Sequence, residues 1–279
     1  MGETALLIFS FCMQTAIGLM LFTTLAKQLH QDRSFKPAAI AAAGLSIIGV
    51  LASLAHLGQP LHALNSLGNL GSSWLSREVL SSGVFMGIAV SYTLLLYFKA
   101  GGEALNSALR WAGSVVGLIA VFSMSKLYTM ASVPVWHSIN TFVDFFATTI
   151  AVGALVFLAL SFKELQDADK RIYGFIVLAT VIIQAAAAVP FAVSLGLDGM
   201  AAQASAEILR NLSVVIGLKW LLILGGAVLL LWPALQQAAV KANSGPGLLY
   251  AAGVALVCGQ LIGRYVFYAA MITVNIGLT

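Results

Sequence analysis

Apolar runs of about 20 residues, the length needed to cross a bilayer's hydrocarbon, dominate the chain. Eight are evident: Thr4–Ala26, Pro37–Ala55, Val79–Phe98, Trp111–Met130, Thr141–Phe162, Ile172–Leu195, Val214–Trp232 and Leu248–Thr273. Their connectors are short, and no repeat of 20–50 residues is evident. The pattern predicts an all-α polytopic membrane protein: eight transmembrane helices, both termini on the same side, and a single membrane domain over residues 1–279. The longest polar interruption in the first half runs from His56 to Glu78. It carries two histidines, Trp74 and, at the lip of the next span, an acid.

Composition sharpens this reading. The protein is 60% hydrophobic and 9% charged, whereas soluble domains carry about 25% charged residues. A net charge of +4, spread thinly over connectors, reports topology and not a nucleic-acid partner. Lys27, Arg33, Lys36, Lys99, Arg110, Lys163, Lys170, Arg171 and Lys241 fall in the connectors after spans one, three, five and seven. The positive-inside rule therefore places both termini, and the His56–Glu78 stretch, outside. No basic residue precedes the first run, so that run is expected to be retained as a span. Cys12 and Cys258 lie inside apolar runs with no CxxC partner and are expected to be buried thiols.

With that topology, His56, Glu78, Lys126, Tyr128, His137, Asp144, Arg264, Tyr265 and Tyr268 all fall toward the outer half of the membrane. Counting from Thr273 at the helical rise puts Arg264 roughly 13 Å deep. Ionisable residues at such depth are costly and mark candidate sites. Haem ligation would need paired histidines from facing helices, and His30, His56, His62 and His137 are all at span edges or in connectors. Acids are too few for zinc. The stretch Leu67–Ser73 lacks the GK[ST] ending of a phosphate loop.

A quinol pocket suits the residues better. Its chemistry needs hydrogen bonds to a ring and acceptors for two protons. Imidazole titrates near neutrality, and a desolvated carboxyl can be tuned toward the same range. His56 and Glu78 fit those roles, with Arg264 or Lys126 as supporting cations. Structural alternatives stay open. His56 could be a helix-end residue satisfied by backbone. Glu78 and Asp144 could be first-turn acids favoured by the helix dipole, with Ser76 capping the former. Trp74, Trp136 and Tyr128 could belong to the interfacial belt. Arg264 needs a partner, for which Glu78 or a quinol head group is the expectation.

His56-Leu57-Gly58-Gln59-Pro60, followed by Leu75-Ser76-Arg77-Glu78, resembles the DmsC-type membrane anchor of dimethyl sulfoxide reductases, within the wider NrfD-like quinol-interacting anchors. Val133-Pro134-Val135-Trp136, Leu261-Ile262-Gly263-Arg264 and Val266-Phe267-Tyr268 extend the resemblance over essentially the whole sequence. The resemblance implies a multi-pass subunit of a bacterial inner membrane that binds menaquinol as substrate. It implies no haem, iron–sulfur cluster or molybdenum in this protein, and electron delivery to an iron–sulfur subunit and on to a molybdopterin catalytic subunit. His56 and Glu78 match the family's quinol-site pair; Arg264, Lys126, Tyr128 and Tyr268 complete the expected binding set. Lys126 departs from an expected Arg, and Gln260 from an expected acid. Two competing readings are a proton or small-solute transporter, hinted at by Gln184 and Pro190 in span six, and a purely structural anchor.

Overall fold

A computed structural model describes residues 2–55, 67–197, 199–236 and 247–272. His56, His62, Lys241 and the motif from Leu57 to Pro60 lie outside the described residues. The elements are α1 (Gly2–Leu29), α2 (Lys36–Ala55), α3 (Trp74–Phe98), α4 (Glu103–Thr129), α5 (Ile139–Leu160), α6 (Asp167–Leu195), α7 (Met200–Asn211), α8 (Ser213–Gln236) and α9 (Gly247–Ala269). Among the described residues eight of these are long and apolar enough to cross a membrane, as the runs predict. Side chains such as Ile183, Val189, Leu221 and Val254 stand exposed on the helix surfaces, the arrangement expected where lipid is the solvent.

Several helices begin earlier than the apolar runs, because polar residues complete the first turns. Ser73 caps α3, its hydroxyl accepting from the Ser76 amide at 3.3 Å; the cap is Ser73, not Ser76. Lys99 closes the same helix in the left-handed region at φ 52°, donating its amide to the Leu95 carbonyl. α4 starts at Glu103, so Arg110 is a helical residue, not a connector one. Arg110 is buried and its Nη2 lies 2.9 Å from Glu103 Oε1. α7, a connector by its sequence pattern, is an amphipathic helix: Ala202 and Ser205 are buried while Met200 is exposed. α9 ends at Ala269. Arg264 therefore lies five residues, about 8 Å, from the helix end, not 13 Å.

The protein divides into two compact units, Met1–Met124 with Thr148–Val177, and Ser125–Ala147 with Leu178–Thr279. In the first, α1 is central, with Met13, Ala16, Ile17 and Met20 essentially inaccessible. Backbones approach closely where it crosses α5: a Cβ added at Gly18 would sit 2.7 Å from the Gly153 Cα. Small residues allow this contact, which supplies the van der Waals packing that holds membrane helices together. Thr24 Oγ1 and Ser114 Oγ, 2.9 Å apart, join α1 to α4. The α1–α2 connector is tied to the first turn of α6 by His30 Nε2 to Asp169 Oδ2 at 2.9 Å and to the α5–α6 connector by the Phe35 amide donating to Glu164 at 3.1 Å. Gly18→Ala forces two backbones apart and is expected to cost about 1–3 kcal/mol, read as a lower melting temperature in detergent. Gly44→Ala, where nothing lies within 4 Å of the added Cβ, is the control.

In the second unit α8 and α9 pack through Gly226 and Gly259. A Cβ at Gly226 would lie 2.9 Å from the Ala252 carbonyl oxygen, and one at Gly259 3.0 Å from that of Lys219. Cys12 is half-buried and Cys258 exposed, so the expectation of two buried thiols does not hold. Cys258 lies on a helix surface that α8 does not cover.

Candidate functional site

The predicted site residues divide between the units. Glu78 belongs to the first; Lys126, Tyr128, Arg264 and Tyr268 belong to the second; His56 lies outside the described residues.

Because α3 starts at Trp74, Glu78 is the helix's fifth residue and lies beyond its first turn. This removes the simple dipole explanation, which decays within that turn. Its side chain is 4% exposed, and Oε2 has no hydrogen-bond partner among the described residues. The adjacent Arg77 is committed elsewhere. Its Nε donates to the Leu70 carbonyl at 2.9 Å, its Nη2 to that of Gly71 at 2.7 Å, and its guanidinium lies 4.2 Å from the Trp74 ring centre. Trp74 in turn meets Phe122 edge to face at 5.9 Å. One helical turn beyond Glu78, on the same face, the Ser82 hydroxyl is also buried without a partner among the described residues. Two unmatched polar groups on one buried face are a deficit of about 1–3 kcal/mol each. A ligand able to hydrogen-bond them removes it.

The second unit holds a larger polar cluster, carried on α9 by Gln260, Arg264 and Tyr268 at successive i,i+4 positions, all buried. Gln260 and Gln184 exchange amide hydrogen bonds, Gln260 Nε2 donating to Gln184 Oε1 at 2.8 Å and Gln184 Nε2 to Gln260 Oε1 at 3.3 Å. Gln184 Nε2 also donates to Asp144 Oδ1 at 2.9 Å. Arg264 lies 3.9 Å above the Phe145 ring, and Phe145 directly follows Asp144 in α5. The carboxylate of this cluster is Asp144. Asp144 is not a first-turn acid, since α5 begins at Ile139.

Aromatic side chains wall this cluster. Tyr128 and Tyr268 share a hydroxyl hydrogen bond of 2.7 Å. Trp136 stacks on Phe267 at 5.1 Å and 12°, its Nε1 donating to the Phe267 carbonyl at 2.9 Å. Both Tyr128 and Trp136 are buried, so neither is a belt residue. Lys126, in the last turn of α4, lies 5.8 Å from the Phe142 ring. The structure thus brings Tyr128, Tyr268 and Arg264 together and adds Asp144, Gln184 and Gln260. An acid or amide side chain inside an otherwise apolar run was the available signal for each of these additions. Tyr128→Phe is expected to cost about 1 kcal/mol, the worth of one buried hydrogen bond, measurable as a small fall in melting temperature.

Among the described residues no three His, Cys, Asp or Glu side chains converge. Eight apolar helices with ionisable side chains built into their interior define a polytopic helical membrane protein. Comparison with known proteins places it more narrowly: the protein belongs to the DMSO reductase anchor subunit (DmsC) family, whose model matches residues 1–270. It is 31% identical over 237 residues to a subunit of the anaerobic dimethyl sulfoxide reductase of Escherichia coli, an alignment spanning 83% of this sequence and 80% of that one. It is 29% identical to a subunit of the anaerobic dimethyl sulfoxide reductase of Haemophilus influenzae, over 61% of each. A subunit of the sulfite dehydrogenase of Allochromatium vinosum is 28% identical over 47% of this sequence and 43% of its own length. The family resemblance seen in the motifs around His56 and Glu78 is borne out.

Proposed function

We propose that this protein is the quinol-oxidising membrane anchor of a molybdopterin oxidoreductase complex of the dimethyl sulfoxide reductase type. The observation that carries the reading is the Glu78 carboxyl, buried in α3 with an oxygen lacking any partner among the described residues. Menaquinol is the substrate. Its ring hydroxyl meets Glu78, with Ser82 one turn below, and its isoprenoid tail remains in lipid. Oxidation releases two electrons and two protons; Glu78 and His56 accept the protons, and the electrons pass to an iron–sulfur cluster of a partner subunit. That subunit feeds a molybdopterin catalytic subunit. The names of the relatives in Escherichia coli and Haemophilus influenzae support such an assembly; that of the sulfite dehydrogenase relative supports a common anchor serving different catalytic partners. The complex resides in a bacterial inner membrane, with both termini on the periplasmic side by the positive-inside rule.

Binding of a fluorescent hydroxyquinoline N-oxide inhibitor to membranes carrying the complex tests the site. Stoichiometric quenching in wild type, lost in His56→Ala with assembly intact, is the expected result. Unchanged quenching in that variant moves the pocket away from His56.

A transporter reading would rest on the Asp144–Gln184–Gln260–Arg264 cluster and on Pro190 inside α6. Purification of the protein without iron–sulfur and molybdenum-containing partners would favour it.

A further inference from the structure

The second unit contains a cavity of about 460 Å³ that the quinol reading does not use. Asn140, Asp144, Arg210, Lys219 and Trp220 contribute its polar and aromatic lining, and Phe191 is among its apolar residues. Two features show that the cavity is built for a ligand. Asn140 is 8% exposed, and its Oδ1 is buried with no hydrogen-bond partner among the described residues. Lys219 is 9% exposed, makes no ion pair among the described residues, and is held with Nζ 4.7 Å from the Trp220 ring centre. Gly263 makes room for it, since a Cβ there would fall 2.8 Å from Lys219 Cε.

Charge decides the class of ligand. The lining holds one acid, Asp144, which accepts from the Gln184 amide, against two cations, Lys219 and the exposed Arg210, so the cavity carries a surplus of positive charge. An unmatched acceptor on Asn140 calls for a hydroxyl. The wall from α6, with Ala188, Phe191, Ala192 and Leu195, offers one face of hydrocarbon to an acyl tail. The amphipathic α7, the start of α8 and the end of α6 all border it, a combination suited to head-group depth. We infer that this cavity binds an anionic phospholipid with a hydroxyl-bearing head group, such as phosphatidylglycerol. Its phosphate lies between Lys219 and Arg210, its head-group hydroxyl donates to Asn140 Oδ1, and the upper part of one acyl tail lies along α6.

Native mass spectrometry of the detergent-purified complex, incubated with dioleoylphosphatidylglycerol or dioleoylphosphatidylcholine, tests this. Wild type is expected to retain the glycerol lipid in preference to the choline lipid. Lys219→Gln lowers that occupancy about ten-fold, the loss of one charge-assisted contact; Asn140→Leu lowers it several-fold, and choline-lipid binding stays unchanged. Arg210→Gln, at the exposed mouth, gives a smaller loss and is independent of any folding defect in the buried variants. Equal retention of the two lipids, retention unaffected by Lys219→Gln and Arg210→Gln, or menaquinone in place of lipid in this cavity overturns the proposal. Displacement by glycerol 1-phosphate alone would assign the site to a free phosphate and overturn it also. Each outcome is read independently of quinol-supported activity.

Discussion

On the proposed quinol-oxidising function, Glu78→Gln is expected to abolish quinol-supported reduction of the terminal acceptor while the complex still assembles in the membrane. Glutamine keeps the shape of the side chain and its place on α3, so packing around Phe85 and Ala89, both fully buried on that helix, is preserved. What it loses is the ability to take a proton. A positioned acid–base group contributes about 10²–10⁴-fold to a rate, so residual turnover should fall to about 1% or less. Electron transfer downstream of the quinol should be untouched, because the substituted atom lies in none of its carriers. An artificial donor that reduces the proposed iron–sulfur partner directly should therefore support reductase activity in the variant at the wild-type rate. Wild-type quinol turnover by an assembled Glu78→Gln complex would remove Glu78 from the mechanism. Loss of both activities would show that it serves assembly instead.

Arg264→Met produces a large loss of stability, ahead of Tyr128→Phe in the same unit. The guanidinium is 4% exposed and seated on Phe145 at 3.9 Å, and the acid of the same cluster is Asp144. Removing one partner of a fully buried pair costs about 3–5 kcal/mol, because the other charge is left without compensation. Asp144 is half-buried and opens to the cavity, so about 2–3 kcal/mol is the expected cost here. The melting temperature of the detergent-solubilised complex reads it. Asp144→Asn combined with Arg264→Met should recover much of the loss, since no bare carboxylate then remains and Gln184 can still hydrogen-bond the amide. A double variant no more stable than Arg264→Met would show that the arginine acts through its ring contacts and not through Asp144.

The polar cluster gives the surroundings of Gln260 and Lys126, the two residues that depart from the pattern the family resemblance leads one to expect. Gln260, which stands where an acid is expected, is half of a reciprocal amide pair with Gln184 at 2.8 and 3.3 Å. An ionised acid at 260 could accept from Gln184 but not donate to it. The carboxylate of the cluster comes instead from Asp144 on α5. Lys126 keeps a cation at the end of α4 with an aromatic neighbour, Phe142. A lysine there supplies a point charge, without the planar fork that an arginine would present.

The class of the fold was legible in the order of residues. A run of about 20 apolar residues has few stable alternatives to a spanning helix, because hydrocarbon satisfies no backbone hydrogen bond. Eight runs became eight long apolar helices, and the motifs ending at Glu78 and around Arg264 identified the family. Helix starts were less legible, since capping residues such as Ser73 and amphipathic first turns such as that beginning at Glu103 lie outside the apolar pattern. The partners emerged only from the packing of helices. Asp144, Gln184 and Gln260 come from three helices, Gln184 lying 40 residues from the first and 76 from the last, a meeting that helical periodicity does not encode. Packing also set which aromatic residues face lipid and which are buried. Trp136 reads from the sequence as a membrane-edge aromatic, yet a backbone acceptor 131 residues away satisfies its indole N–H and lets the ring be buried.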